Sequence, residues 1–358
     1  MLIVDDSITV RSALSRIVAS RPDMEVVGMA SSAEVALDQL GKISCDVILL
    51  DLEMPGMGGF NALPRLLEAA GDAAVIVVSS LTTRGAEPTV RALAMGAADT
   101  WAKPSSGQFD DRYRGALLRR IYELGHPRRK QGGVQNAALG AHRAAAEAQV
   151  ERAPANATRG GASFTMSVLA IGASTGGIHA LSRFFAHYGD NLTAPILVTQ
   201  HLPGSFMPVF ASQVANMARR PAVVASEGMV IEPGRAHIAP GDGHLMVKRQ
   251  DDQLVIHIGR QSVASGCCPS VDPMLESLAK TVGRSAVAVI LSGMGRDGSI
   301  GAGALAQAGG TVLAQDAESC AVYGMPRGVV EAGLASLVAP PEDLAEAIGR
   351  RGRVVSWK

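Results

Sequence analysis

The sequence predicts two α/β domains joined by a linker, the first a doubly wound five-stranded sheet, the second a mostly parallel sheet carrying an antiparallel hairpin. Its 358 residues exceed what one hydrophobic core usually sustains, and 47% of them are apolar, enough to fill two cores. In both halves short β-rich apolar runs alternate with helical periodicity, the rhythm of parallel strands joined by helices. Between the halves lies a stretch of Ala, Gly, Arg and Gln with almost no large apolar residue, which cannot build a core.

In the first domain, residues 1–125, the runs 2–4, 25–29, 45–50, 75–79 and 100–103 read as strands. Val10, Leu14, Ile17 and Val18 fall on one helical face, Ser32 is placed to N-cap a second helix, and residues 109–124 form a closing amphipathic helix. Residues 126–163 are expected to be a flexible linker, partly helical around 141–150. The second domain, residues 164–358, has strand-like runs at 167–172, 195–200, 286–291 and 311–315. Residues 244–248 and 254–258 flank Asp251 and Asp252 as a hairpin would. The two halves share no repeat.

Charge and composition exclude several classes of function. Lys plus Arg and Asp plus Glu each total 33, so no net field favours a polyanion, and nucleic-acid binding is not expected. No apolar stretch approaches the roughly 20 residues of a membrane helix, and the N-terminus lacks a basic flank and cleavage site. A cytoplasmic protein without direct membrane insertion is expected. Cys45, Cys267, Cys268 and Cys320 show no paired metal-ligand spacing and are expected to be reduced and unpaired.

Asp5 and Asp6 end the first predicted strand, Asp51 ends the third and Lys103 ends the fifth. In a parallel sheet all strand C-termini open on one edge, so these groups converge. Clustered carboxylates repel one another unless a hard cation joins them, and an oxygen-only set suits Mg²⁺. Asp51 is then placed to attack a phosphoryl donor, with Ser79 and Lys103 receiving the phosphoryl oxygens. Any one strand-end aspartate can equally cap a helix; the whole set favours the functional reading. Ile3-Val-Asp-Asp-Ser7, Leu49-Leu-Asp-Leu-Glu-Met-Pro-Gly56 and Lys103-Pro104 resemble a response-regulator receiver domain. The resemblance makes Asp51 the phosphoacceptor, gives Mg²⁺ to Asp5, Asp6 and Asp51, and makes Ser79 and Lys103 the switch residues. Thr100, followed by Trp101, stands where receivers often carry an aromatic residue.

In the second domain Gly172-Ala-Ser-Thr-Gly176 fits G-x-S-x-G between a strand and a helical stretch. Such a turn can expose Ser174 as a nucleophile beside helix N-terminal N–H groups. It can also be a glycine turn with Ser174 as N-cap, or a phosphate-cradling loop, and the motif by itself does not choose. A P-loop lysine is missing, and Gln200-His201 stands where a nucleotide-binding unit would place an acidic residue. His201 ends the next strand and so reaches the same sheet edge as Ser174. Asp297 follows the strongest apolar run, in a glycine-dense turn where an N–H such as that of Met294 can face a reacting carbonyl, or where Asp297 can simply cap the next helix.

Ile171-Gly-Ala-Ser-Thr-Gly-Gly177, Thr199-Gln-His201, Ile238-Ala-Pro-Gly241, Pro269-Ser-Val-Asp272, Ile290-Leu-Ser-Gly-Met-Gly-Arg-Asp-Gly298 and Gly324-Met-Pro-Arg327 resemble the chemotaxis protein-glutamate methylesterase/protein-glutamine glutaminase (CheB) family. The resemblance implies Ser174 as nucleophile, His201 as general base, Asp297 as orienting acid, and the N–H groups of Thr175 and Met294 as oxyanion donors. It further implies methyl-accepting chemoreceptors as substrates, a chemotaxis histidine kinase as phosphodonor, and no cofactor for hydrolysis. Tethered by the linker, the unphosphorylated receiver is expected to cover the Ser174 edge.

Overall fold

The computed structural model describes residues 1–79, 83–103, 110–125, 164–189 and 192–354; the expected linker lies outside them. The apolar runs of the first domain become parallel strands β1 (Leu2–Val4), β2 (Gly28–Ala30), β3 (Val47–Asp51), β4 (Ala74–Ser79) and β5 (Asp99–Ala102). They are ordered β2-β1-β3-β4-β5. Every residue of β1, β3 and β4 is buried, because helices cover both faces of the sheet and leave no polar side to alternate with. Those helices are α1 (Ile8–Ala19), α2 (Ala33–Leu40), α3 (Gly59–Ala70), α4 (Thr83–Met95) and α5 (Asp111–Gly125).

Sequence and structure differ at the element ends. The second strand starts at Gly28, not residue 25, because Glu25 and Val27 exchange hydrogen bonds with Met1 before the ladder begins. The third strand starts two residues later than expected and takes in Asp51 itself. Ser32 does cap α2, accepting from Val35 N at 3.4 Å. The strand-end aspartates cap nothing: Ser7 is the N-cap of α1 and Gly58 that of α3.

The second domain is built on a seven-stranded sheet ordered β15-β14-β13-β7-β8-β10-β9. Its central strands β7 (Val168–Ala173), β8 (Ile196–Gln200), β13 (Ala286–Ile290) and β14 (Thr311–Gln315) match the predicted runs within a residue. The edge strands β9 (Ala222–Val224) and β15 (Leu337–Ala339), and β10 (Ala236–Ile238) between β8 and β9, have three residues each, too short for periodicity to mark. All pairings in this sheet are parallel. The predicted hairpin is present as β11 (His244–Gln250) and β12 (Gln253–Gly259), antiparallel about Asp251 and Asp252. A separate parallel pair joins β6 (Phe164–Met166) to β16 (Gly352–Val354).

Successive strand residues point to opposite faces, so the sheet feeds two cores. Leu169, Ile171 and Val198 pack with α6 (Gly177–His187), α7 (Met207–Ala218) and α11 (Pro341–Arg351), through Leu181, Phe210 and Ile348. Ala170, Leu197 and Ile290 pack on the other side with the hairpin, α8 (Val271–Thr281) and α9 (Ser299–Gln307), while α10 (Met325–Glu331) closes that core. The receiver joins the first layer: Val90 and Leu93 of α4 share a buried cluster with Ile178 and Leu181 of α6.

Candidate active site

The C-terminal edge of β7 and β8 carries the elbow. After Ala173 the chain turns through Gly176, whose φ of 74° is a left-handed conformation that a side chain resists. That turn needs glycine at two further places. A Cβ on Gly172 would lie 2.6 Å from Val271 Cγ1, and one on Gly293 would lie 2.9 Å from Ser174 Cβ. Gly176 caps α6 without any side-chain hydrogen bond, so Ser174 is not the N-cap. Ser174 is clamped through its backbone instead: its N–H donates to Ser292 O at 3.0 Å and its carbonyl accepts from Gln200 Nε2 at 2.8 Å. Ser174 is partly exposed while Ala173 and Thr175 on either side are buried.

His201 follows β8, and Nε2 meets Asp297 Oδ2 at 2.8 Å. Asp297 is 1% exposed and does not cap α9, whose N-cap is Gly298. Its carboxylate accepts from Ser270 Oγ at 2.6 Å, Ser265 Oγ at 3.1 Å and Val271 N at 2.7 Å. Burial alone would raise its pKa, but the His201 bond, Ser270 and Val271 hold the carboxyl below the usual carboxylate range. Burial alone would lower the pKa of His201; the hydrogen bond to Asp297 and contact with Cys267 overcome this and raise it. With Nε2 engaged by Asp297, the lone pair of the neutral ring lies on Nδ1. Ser174 Oγ and His201 share no hydrogen bond here, a looseness common before substrate tightens a site. Among the described residues, neither the N–H of Thr175 nor that of Met294 donates to a protein acceptor.

On the receiver edge, Lys103 Nζ lies 2.6 Å from Asp51 Oδ2 and 3.3 Å from Asp5 Oδ2. Burial raises the Asp51 pKa against the opposing pull of Lys103. Oxygens of Asp5, Asp6 and Asp51 lie within 4.8 Å of one another, and Asp5 Oδ2 is buried with the Lys103 ammonium 3.3 Å away. An oxygen-only donor set of three clustered carboxylates fits Mg²⁺. Ser79, at the end of β4, accepts from Thr89 Oγ1 at 2.8 Å.

A polar latch joins the two domains. Arg120 of α5 donates to Thr175 Oγ1 at 2.6 Å and pairs with Asp99 of β5 at 2.8 Å, while Thr175 Oγ1 donates to Asp99 Oδ2 at 2.7 Å. Arg120 also reaches Met294 Sδ at 3.6 Å, and Gly176 N donates to Ala98 O at 2.7 Å. Receiver residues thus touch Thr175, Gly176 and Met294, which surround Ser174. Sequence reasoning found neither Asp99 nor Arg120, because a contact between domains leaves no local pattern. Ser270 was legible only as part of Pro269-Ser-Val-Asp272, and nothing in the sequence marked Ser265.

Fold and site together define a two-domain response regulator: a receiver bearing an acidic pocket, docked on an α/β domain with a serine elbow and a buried His–Asp pair. The chain belongs to the CheB methylesterase family, whose family model matches residues 169–348, and the response regulator receiver model matches residues 1–109. It is 40% identical over 357 residues to "Protein-glutamate methylesterase/protein-glutamine glutaminase 2" of Pseudomonas aeruginosa, covering 98% of this chain and 97% of that one. It is 38% identical over 359 residues to the protein of the same name from Caulobacter vibrioides, covering 99% of each. The crystal structure of the Thermotoga maritima CheB methylesterase catalytic domain is 35% identical, with a TM-score of 0.50 over 52% of this chain and 98% of that one.

Proposed function

We propose that the chain is a protein-glutamate methylesterase and protein-glutamine glutaminase that acts on methyl-accepting chemoreceptors under control of its receiver. The observation that carries the chemistry is a partly exposed Ser174 at a strand-to-helix elbow, on the sheet edge where His201 is held by a buried Asp297. Ser174 Oγ attacks the γ-carbonyl of the side chain as His201 Nδ1 takes its proton. The N–H groups of Thr175 and Met294 stabilise the resulting oxyanion. His201 returns the proton to the leaving methanol or ammonia, and water, activated by the same base, cleaves the acyl-enzyme. Asp297 fixes the ring and stabilises the imidazolium.

Asp51 accepts the phosphoryl group from a chemotaxis histidine kinase. Mg²⁺, when bound by Asp5, Asp6 and Asp51, neutralises charge there, and Ser79 and Lys103 bind the phosphoryl oxygens. In the unphosphorylated chain the Arg120–Asp99–Thr175 latch holds the receiver over the elbow; phosphorylation weakens that interface and frees Ser174. These partners place the protein in the cytoplasm.

The test is release of methanol from methylated chemoreceptor. Wild type is expected to release it and Ser174→Ala, folded and still phosphorylated on Asp51, to release none above background. Activity above a few per cent in that variant removes Ser174 from the nucleophile role.

A further inference from the structure

A thiol stands beside the base and plays no part in the reaction just described. One ligand atom each of His201, Cys267 and Asp297 lies within 4.8 Å of the other two. Cys267 belongs to the loop between β12 and α8, where its N–H donates to Ser265 Oγ at 3.3 Å. It is half-buried, whereas its neighbour Cys268 is exposed and outside the cluster. Imidazole nitrogen, thiolate sulfur and carboxylate oxygen are together the donors that Zn²⁺ takes, and a hard ion such as Mg²⁺ finds too few oxygens. Ligands of tetrahedral zinc sit roughly 3.4–3.8 Å apart, so the Cys267 sulfur needs to close by up to about 1.4 Å while the 2.8 Å contact of His201 with Asp297 opens slightly. A loop residue such as Cys267 supplies that movement more readily than Asp297, which four hydrogen bonds fix.

One of the three ligands also borders an open cavity. Cys267 lines a cavity of about 290 Å³ with Asp242, Arg260, Gln261, Val263 and Cys268. His244 faces the same cavity but contributes no ligand, since Nε2 meets Gln261 O at 2.9 Å and Nδ1 accepts from Ser270 N at 3.0 Å.

We propose that His201, Cys267 and Asp297 form an inhibitory site for Zn²⁺ or a similarly thiophilic divalent ion. Binding forms bonds from the metal to a His201 nitrogen, the Cys267 sulfur and an Asp297 oxygen, and releases to solvent the thiol proton and, from a charged imidazole, one ring proton as well. It also ties up the imidazole, so the ion competes with general-base catalysis; this half of the inference rests on His201 being the base.

The reduced full-length chain is titrated with Zn²⁺ against a chromophoric chelator, in excess Mg²⁺ to fill the oxygen-only receiver pocket. Methanol release is followed in parallel samples. Wild type is expected to bind Zn²⁺ with proton release and to lose activity over the same concentrations. Mg²⁺ alone is not expected to inhibit. Cys267→Ser removes a direct ligand and is expected to weaken binding by at least about tenfold, whereas Cys268→Ser is not. Equal Zn²⁺ affinity in wild type and Cys267→Ser overturns the site. Binding that depends on Cys267 but leaves methanol release intact overturns its inhibitory role and counts against His201 as the base. The chelator readout does not need the esterase, so absence of any activity in metal-free wild type would fail the proposed function and not the metal site.

Discussion

Arg120→Ala should release the receiver from the elbow without touching the chemistry. Arg120 and Asp99 are only 25% and 13% exposed, so their hydrogen bonds to Thr175 are poorly screened. A hydrogen bond to a charged group contributes about 1.5–3 kcal/mol, and the substitution also leaves Asp99 in the docked state without its cation. A loss of that size shifts the open-to-docked ratio by roughly 10- to 150-fold, since 1.4 kcal/mol is a factor of ten. If the docked form dominates in the unphosphorylated wild type, methanol release from methylated receptor should rise by about 10-fold or more in the variant. Activation by phosphodonor should shrink correspondingly. Arg120 is half-buried on α5, while Leu117, Ile121 and Leu124 fill the helix's core face, so the receiver should still fold and take phosphate on Asp51. A folded, phosphorylatable Arg120→Ala protein with the wild-type basal rate and wild-type activation would refute the latch.

Two further outcomes follow from the titrating groups. Treatment with a small phosphodonor should give one labile adduct by mass spectrometry, dependent on Mg²⁺ and absent in Asp51→Asn, because Asp5 and Asp6 tolerate a further anion only beside a cation; an adduct that survives the substitution points to another residue. The general base must be neutral, and contact with Asp297 and Cys267 raises His201 to about 9. With phosphodonor in excess, kcat/KM should therefore rise with pH on a limb centred above the ordinary imidazole value of about 6.5. A limb centred at or below that value would contradict the His201–Asp297 pairing.

The sequence revealed whatever depends on one segment. The β7 and β13 runs, the elbow at Ser174 and the strand-end residues Asp51, Lys103 and His201 all follow from local pattern plus the rule that parallel strands open on one edge. The caps resisted. G-x-S-x-G and the glycine-dense turn at Asp297 each suited a helix cap as well as a catalytic residue, and only the left-handed Gly176 and Gly298 at the cap positions removed those alternatives. Short strands such as β10 and β15 stayed hidden because three residues carry no readable period. Ser265, Ser270 and Cys267 converge on His201 and Asp297 from a loop some thirty residues before Asp297 and more than sixty after His201. The Asp99–Arg120–Thr175 latch spans two domains. Such contacts exist only once the chain has folded.

The proposed function turns on Ser174 being a nucleophile that the receiver governs. A serine-directed fluorophosphonate probes both parts at once, with the adduct located by peptide mass spectrometry in the presence and absence of phosphodonor. A single adduct on Ser174, absent in Ser174→Ala and formed faster once Asp51 carries phosphate, is the predicted result. No adduct, or one that persists in Ser174→Ala, would contradict the nucleophile, and a labelling rate indifferent to phosphodonor would contradict the receiver's control of it.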